Sequence, residues 1–124
     1  MTDRVLAILL VEDDVRLAQL TARYFSAHGA HVTIASDGIA GQEEALRGAY
    51  DCVVLDVQLP RRDGITVCRA LRAAKDVAIV IVSAHGDEMT RTRGLEAGAD
   101  DVVAKPFSPR ELLMRIHASV RHSR

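Results

Sequence analysis

The chain has 124 residues, of which 48% are hydrophobic and 27% charged, with 16 lysines and arginines against 17 aspartates and glutamates. That length suits a single domain with a core of its own, and the net charge of −1 lacks the basic surplus of a nucleic-acid binder, so no direct nucleic-acid contact is expected. No apolar run is long enough to span a membrane, and the first residues (MTDR) lack a signal-peptide pattern.

In chain order, residues 5–11 (VLAILLV) open as a nearly continuous apolar run. Uninterrupted Val/Ile/Leu runs are what strands buried on both faces look like. Leu17, Leu20, Tyr24 and Phe25 then recur at helical steps, ending before Gly29. A shorter strand is predicted over 31–35 (HVTIA), and a second helix around Ala45 and Leu46. Residues 52–55 (CVVL) form the third strand, and Ile65, Cys68 and Leu71 mark the third helix. Residues 77–82 (VAIVIV) form the fourth strand, and Leu95 belongs to the fourth helix. Residues 101–104 (DVVA) are the fifth strand, followed by a helix carrying Leu112, Leu113, Ile116 and Val120. Ser108, Pro109 and Glu111 supply that helix with an N-cap, a first-position proline and an acid at the third position. Strict alternation of strand and helix implies an α/β, doubly wound parallel sheet with helices on both faces. One domain is expected to fill residues 1–124. Cys52 and Cys68 sit inside apolar stretches and read as buried free thiols, which suits a reducing cytosol.

The polar groups at the strand ends carry the functional signal. In an open parallel sheet, ligands bind beyond the carboxyl ends of the strands. Here the first run ends in Glu12-Asp13-Asp14, the third in Asp56, the fourth in Ser83-Ala84 and the fifth in Lys105-Pro106. Each has a plainer explanation alone: Asp13 or Asp14 as a helix cap, Asp56 as an acceptor of loop N–H groups, Ser83 as a strand-end hydroxyl, Lys105 as a solvated cation. Lys105 stands out because Lys75 is the only other lysine beside fourteen arginines. Converging carboxylates repel unless a hard cation neutralises them, and a few oxygen ligands suit Mg²⁺ or Mn²⁺. A carboxylate, a metal, a lysine and a hydroxyl together make a site for phosphoryl transfer, with Asp56 as nucleophile.

The segments ILLVEDD, VVLDVQLPRRDG, IVIVSA and GADDVVAKPFSPREL, in this order and spacing, resemble the receiver domain of two-component response regulators over essentially the whole chain. The resemblance implies a flavodoxin-like sheet of order 2-1-3-4-5. It implies Asp56 as phospho-acceptor from a sensor histidine kinase, with slow self-phosphorylation and self-dephosphorylation rather than enzymatic turnover. Asp13, Asp56 and the backbone carbonyl of Gln58 would bind Mg²⁺ directly, and Glu12 through water. Ser83 and Lys105 would contact the phosphoryl group, and the Lys105-Pro106 peptide is expected to be cis. Ala84 stands at a switch position, and Gln58 and His85 at positions that tune phosphoryl lifetime. A cytoplasmic protein is implied.

Within that family the second half resembles the OmpR/PhoB-type subfamily, whose receivers dimerise through the fourth helix, fifth strand and fifth helix. Arg91, Leu95, Glu96, Asp100, Asp101, Glu111, Leu113 and Arg115 match that face, while Thr92, His117 and His122 depart from it. Such relatives continue into a DNA-binding domain, and no output domain is expected within these 124 residues. Most relatives carry an aromatic residue where this chain has Val102, so an inward ring swing cannot be the readout here. Movement of Ser83 that shifts the fourth helix is expected instead, because Thr90, Thr92 and Gly94 are poor helix formers.

Three other readings compete. A haloacid-dehalogenase-type phosphatase needs an acid two residues beyond the nucleophile, where Gln58 stands. A nucleotide- or flavin-binding domain needs a Gly- or hydroxyl-rich loop after the first strand, where VEDDVR stands. A phosphate-independent pseudo-receiver acting as an interaction module is the alternative that Val102 keeps open. With His117 on the pairing face, the dimer is predicted to weaken as pH rises through the histidine range; equal dimer affinity by ultracentrifugation at acidic and alkaline pH refutes this.

Overall fold

A computed structural model describes residues 5–84 and 87–122. Five strands alternate with five helices: β1 (Leu6–Val11), α1 (Val15–Ala27), β2 (Ala30–Ala35), α2 (Gly38–Arg47), β3 (Cys52–Asp56), α3 (Gly64–Ala74), β4 (Ala78–Ser83), α4 (Glu88–Glu96), β5 (Asp101–Ala104) and α5 (Pro109–His122). The strands form one parallel sheet of order β2-β1-β3-β4-β5, the doubly wound flavodoxin-like arrangement. The three central strands are the three strongest apolar runs, because only strands covered on both faces can be apolar at every position.

Alternate residues of those strands face two separate cores. Leu9, Val11, Val53, Leu55, Ile79 and Ile81 pack with Ile65, Cys68 and Leu71 of α3 and Ala45 of α2. Ile8, Leu10, Cys52, Val54 and Val80 pack with Ala18 and Phe25 of α1 and Leu112 and Ile116 of α5. Both cysteines are free and buried, one in each core. Burial raises the thiol pKa of Cys68 to about 11 and that of Cys52 further still.

Two apolar residues do not bury as their spacing predicts. Leu20 of α1 is 51% exposed and Leu46 of α2 is 42% exposed. Other residues bury instead: Ala18, Thr21 and Phe25 in α1, and Gly38, Gly41 and Ala45 in α2. In α2, Gly41 lets the helix sit against Val11 of β1, while Phe25 anchors α1 in its core, and the leucines are left at the rim.

Aspartates cap the first four helices. Asp14, Asp37, Asp63 and Asp87 accept from the backbone N–H of Leu17, Ala40, Thr66 and Thr90, and Ser108 Oγ accepts from Glu111 N at the start of α5. α1 ends at Ala27, with Gly29 just beyond its cap at φ 91°. α4 is the exception in packing: it has no apolar face, and Gly94 is its one buried residue. A Cβ there would lie 3.1 Å from Ile81 Cδ1 and 3.2 Å from Val102 Cγ2, so the glycine lets the helix backbone rest directly on the sheet.

Asp63→Ala is expected to cost about 1 kcal/mol in denaturant unfolding. Burial opposes the charged form of Asp63, but hydrogen bonds from the Thr66 backbone and hydroxyl outweigh it and hold the carboxyl below its ordinary range. A lowered folded pKa stabilises above the unfolded value and is lost as pH falls through the folded one. The gap between wild type and variant should therefore shrink on acidification.

Candidate functional site

The carboxyl ends of β1, β3, β4 and β5 meet at one edge of the sheet. Asp56 is the last residue of β3 and Ser83 the last of β4, while Glu12 and Asp13 follow β1 and Lys105 follows β5. Register places them together: Val11 pairs with Leu55, Asp56 with Val82, and Ser83 with Ala104.

Asp56 is 7% exposed and both its oxygens are engaged. Oδ2 accepts from Lys105 Nζ at 2.7 Å, and Oδ1 accepts from the backbone N–H of Gln58 at 3.2 Å. Lys105 Nζ also lies 3.2 Å from Glu12 Oε1. The other Glu12 oxygen accepts from Asp14 N at 3.1 Å. Glu12 is buried and Asp13 open to solvent, and carboxylate oxygens of Glu12, Asp13 and Asp56 all lie within 4.8 Å of one another.

Three acids around one lysine leave an uncompensated negative charge. Desolvation and the nearby Asp56 carboxylate raise the Glu12 pKa, although the Asp14 N–H and Lys105 pull the other way. Burial opposes the charge on Lys105, but its bonds to Asp56 and Glu12 outweigh this and raise its pKa. Lys105 therefore stays charged, yet one cation does not settle three acids. A hard divalent cation held by oxygen ligands fits the remaining charge, with Asp13 offering the open carboxylate.

The loop after Asp56 is fixed by backbone hydrogen bonds. Gly64 N donates to Val57 O at 2.8 Å, Arg62 N to Pro60 O at 2.8 Å, and Gly38 N of α2 to Pro60 O at 3.0 Å. A Cβ on Gly64 would fall 2.2 Å from the Asp56 carbonyl oxygen, so this position admits no side chain. Arg61 adopts φ 72°, an unusual conformation for a residue with a side chain, held inside this bonded loop. On the other side, Lys105 N donates to Ser83 O at 2.7 Å, and the Lys105-Pro106 peptide is cis. Ala84 is exposed, and His85 lies outside the described residues.

The structure also places the second set of residues. Arg91 of α4 donates to Val102 O at 3.0 Å, and Arg115 of α5 pairs with Asp101 at 2.9 Å and Glu111 at 3.2 Å. Leu95 is 43% exposed, and Glu96 and His117 are exposed. Leu113 instead turns into the core, and Asp100 faces α3, where Arg72 Nη2 lies 3.0 Å away. An apolar slot of about 450 Å³ beside Lys105, lined by Leu17, Ala84, Pro106 and Phe107, was not assigned from the sequence. Its signal is the KPF triplet after β5, whose aromatic ring has no place in a helix or strand pattern.

The family model for the response regulator receiver domain matches residues 8–117. The chain belongs to that family. The receiver domain is 40% identical over 116 residues to the transcriptional regulatory protein SrrA of Staphylococcus aureus, covering 94% of this chain and 48% of that one. It thus spans about half the length of the curated relatives it matches. Among solved structures, the receiver domain of the Francisella response regulator 1452 superposes with a TM-score of 0.89 at 30% identity, covering 95% of this chain and 98% of the other. The BeF3-activated DrrB receiver domain gives 0.85 at 28% identity, covering 95% and 99%. A receiver domain is a signalling domain, and membership implies a histidine kinase as partner in two-component signalling. Among the described residues, no helix is long and apolar enough to cross a membrane.

Magnesium added to the receiver domain should shift the amide resonances of residues 12–14 and 56–58 in a saturable way. Asp13→Ala should weaken that binding about tenfold or more. Shifts of equal midpoint in the variant would remove Asp13 from the ligand set.

Proposed function

We propose that this receiver domain is a phosphorylation-dependent switch with Asp56 as the phospho-acceptor. The observation that carries the reading is the environment of the Asp56 carboxylate: it ends a buried strand, pairs with Lys105 at 2.7 Å, and shares an acidic cluster with Glu12 and Asp13. An Asp56 oxygen attacks the phosphorus of a phosphohistidine on the sensor kinase. The new O–P bond forms as the P–N bond breaks, leaving an acyl phosphate and a free imidazole. Lys105, released from the carboxylate, pairs with the phosphoryl oxygens, and the Ser83 hydroxyl donates to them.

Mg²⁺ or Mn²⁺, when bound, neutralises charge on the phosphoryl oxygens. Asp13, Asp56 and the Gln58 carbonyl would hold it directly and Glu12 through water. Slow self-phosphorylation from small donors and slow self-dephosphorylation belong to the same reading. The Gln58 side chain and His85 set the lifetime of the acyl phosphate.

Output passes through α4, β5 and α5, as in the OmpR/PhoB-type subfamily, with a homodimer forming on phosphorylation. Arg91, Glu96, Asp101, Glu111, Arg115 and His117 supply the charged part of that face. The likeness to SrrA, named a transcriptional regulatory protein, favours a role in transcription regulation. Residues 1–124 serve as the receiver domain of such a regulator, acting in the cytoplasm.

Intact mass after incubation with acetyl phosphate tests the core of this reading. Wild type should gain one phosphoryl group only with Mg²⁺ present, and Asp56→Ala should gain none. No adduct at short sampling times would instead favour the pseudo-receiver.

A further inference from the structure

Val102 lies on the edge strand β5, and the residue is only 3% exposed. Its backbone is held in an unusual way. The Val102 N–H donates to Asp101 Oδ1 at 2.8 Å, and its carbonyl accepts from Arg91 Nη1 at 3.0 Å. Two charged side chains, one from β5 and one from α4, thus take both polar groups of a single edge residue. Asp101 Oδ2 in turn accepts from Arg115 Nη1 of α5 at 2.9 Å. A continuous series, Arg91–Val102–Asp101–Arg115, therefore joins α4, β5 and α5.

Arg91 and Val102 also border a cavity of about 90 Å³, together with Ser83 and Ala104. Ser83 also ends β4 at the acidic site. α4 has little else to hold it, since Gly94 is its only buried residue. The Arg91 bond is a direct tie between the first turn of this helix and the sheet.

We propose that Arg91 and Asp101 form a clasp on the two peptide groups of Val102, and that through it α4 and the charged face of β5 and α5 hold one another in place. Arg91 and Asp101 are positioning residues in this scheme. The coupling runs through the Val102 backbone, so a small side chain at this position suffices. The inference deepens the switch reading and rests on it for its regulatory meaning, while the clasp itself exists in the unphosphorylated protein.

A cooperative clasp differs from two independent edge bonds in how damage spreads. In Arg91→Ala the acceptor of the Val102 N–H is intact, and in Asp101→Ala the Arg91 bond is intact. Amide hydrogen exchange measured by NMR on the unphosphorylated protein separates the two cases. The clasp requires each variant to speed exchange both at Val102 and at the amides of residues 91–97, by at least about fivefold, the equivalent of one ordinary hydrogen bond. Asp101→Asn keeps the Oδ1 acceptor while losing the charge that binds Arg115, and should restore slow exchange at Val102. Exchange at Ile8 and Val53, deep in the sheet, must stay unchanged and so guards against general unfolding. Effects confined to residues 91–97 in Arg91→Ala and to Val102 in Asp101→Ala would overturn the proposal, as would no effect at all. Because no phosphodonor is present, such a failure is separate from failure of the Asp56 reading.

Discussion

Three carboxylates brought within 4.8 Å of one another, with a single lysine among them, set the terms for the rest of the molecule. Two like charges 4 Å apart repel by about 4 kcal/mol at an effective dielectric of about 20. A domain whose whole stability is about 5–15 kcal/mol cannot hold such a cluster on flexible segments. Asp56 therefore ends β3 and Glu12 directly follows β1, two adjacent central strands buried on both faces. The repulsion that remains makes the site receptive to a cation.

The surrounding loops follow from the same requirement. Gly64 is there because the Asp56 carbonyl occupies the space of a side chain, and Asp63 caps α3 one residue earlier, so the chain turns immediately after the site. Ser83 and Lys105 are tied to each other by a backbone bond and approach from β4 and β5. The two sides of the site differ in how firmly they are seated. On the β1–β3 side, packed cores stand behind every position; on the β4–β5 side, α4 rests on one glycine and one arginine bond.

The fold was legible because its central strands have no polar face: runs such as VAIVIV admit no other reading between two helical patterns, and each strand lies within a residue of its predicted limits. Asp56, Ser83 and Lys105 were legible for a related reason, since a polar side chain ending an apolar run must sit where the sheet opens to solvent. Helical faces were less so. Leu20 and Leu46 follow the helical period but lie at the rim, because Ala18 and Phe25 in α1 and Gly41 and Ala45 in α2 take the buried side. Long-range charge pairing was hidden as well. Asp100 meets Arg72, 28 positions earlier, and also accepts from the Ile79 N–H, contacts that no local pattern announces. The bonds of the Val102 backbone lie beyond any pattern of side chains.

Cys52 and Cys68 occupy opposite sides of the sheet, one thiol in each core. β3 itself stands between them, so no rotamer or small backbone shift brings the sulfurs to bonding distance. Oxidation that joined them within one chain would have to pass through a molecule whose sheet had come apart, and the product could not close its layers again. The placement makes the pair harmless while the domain is folded and turns oxidation into a trap for chains that are not. A disulfide between these two positions would be a chemical record of lost structure.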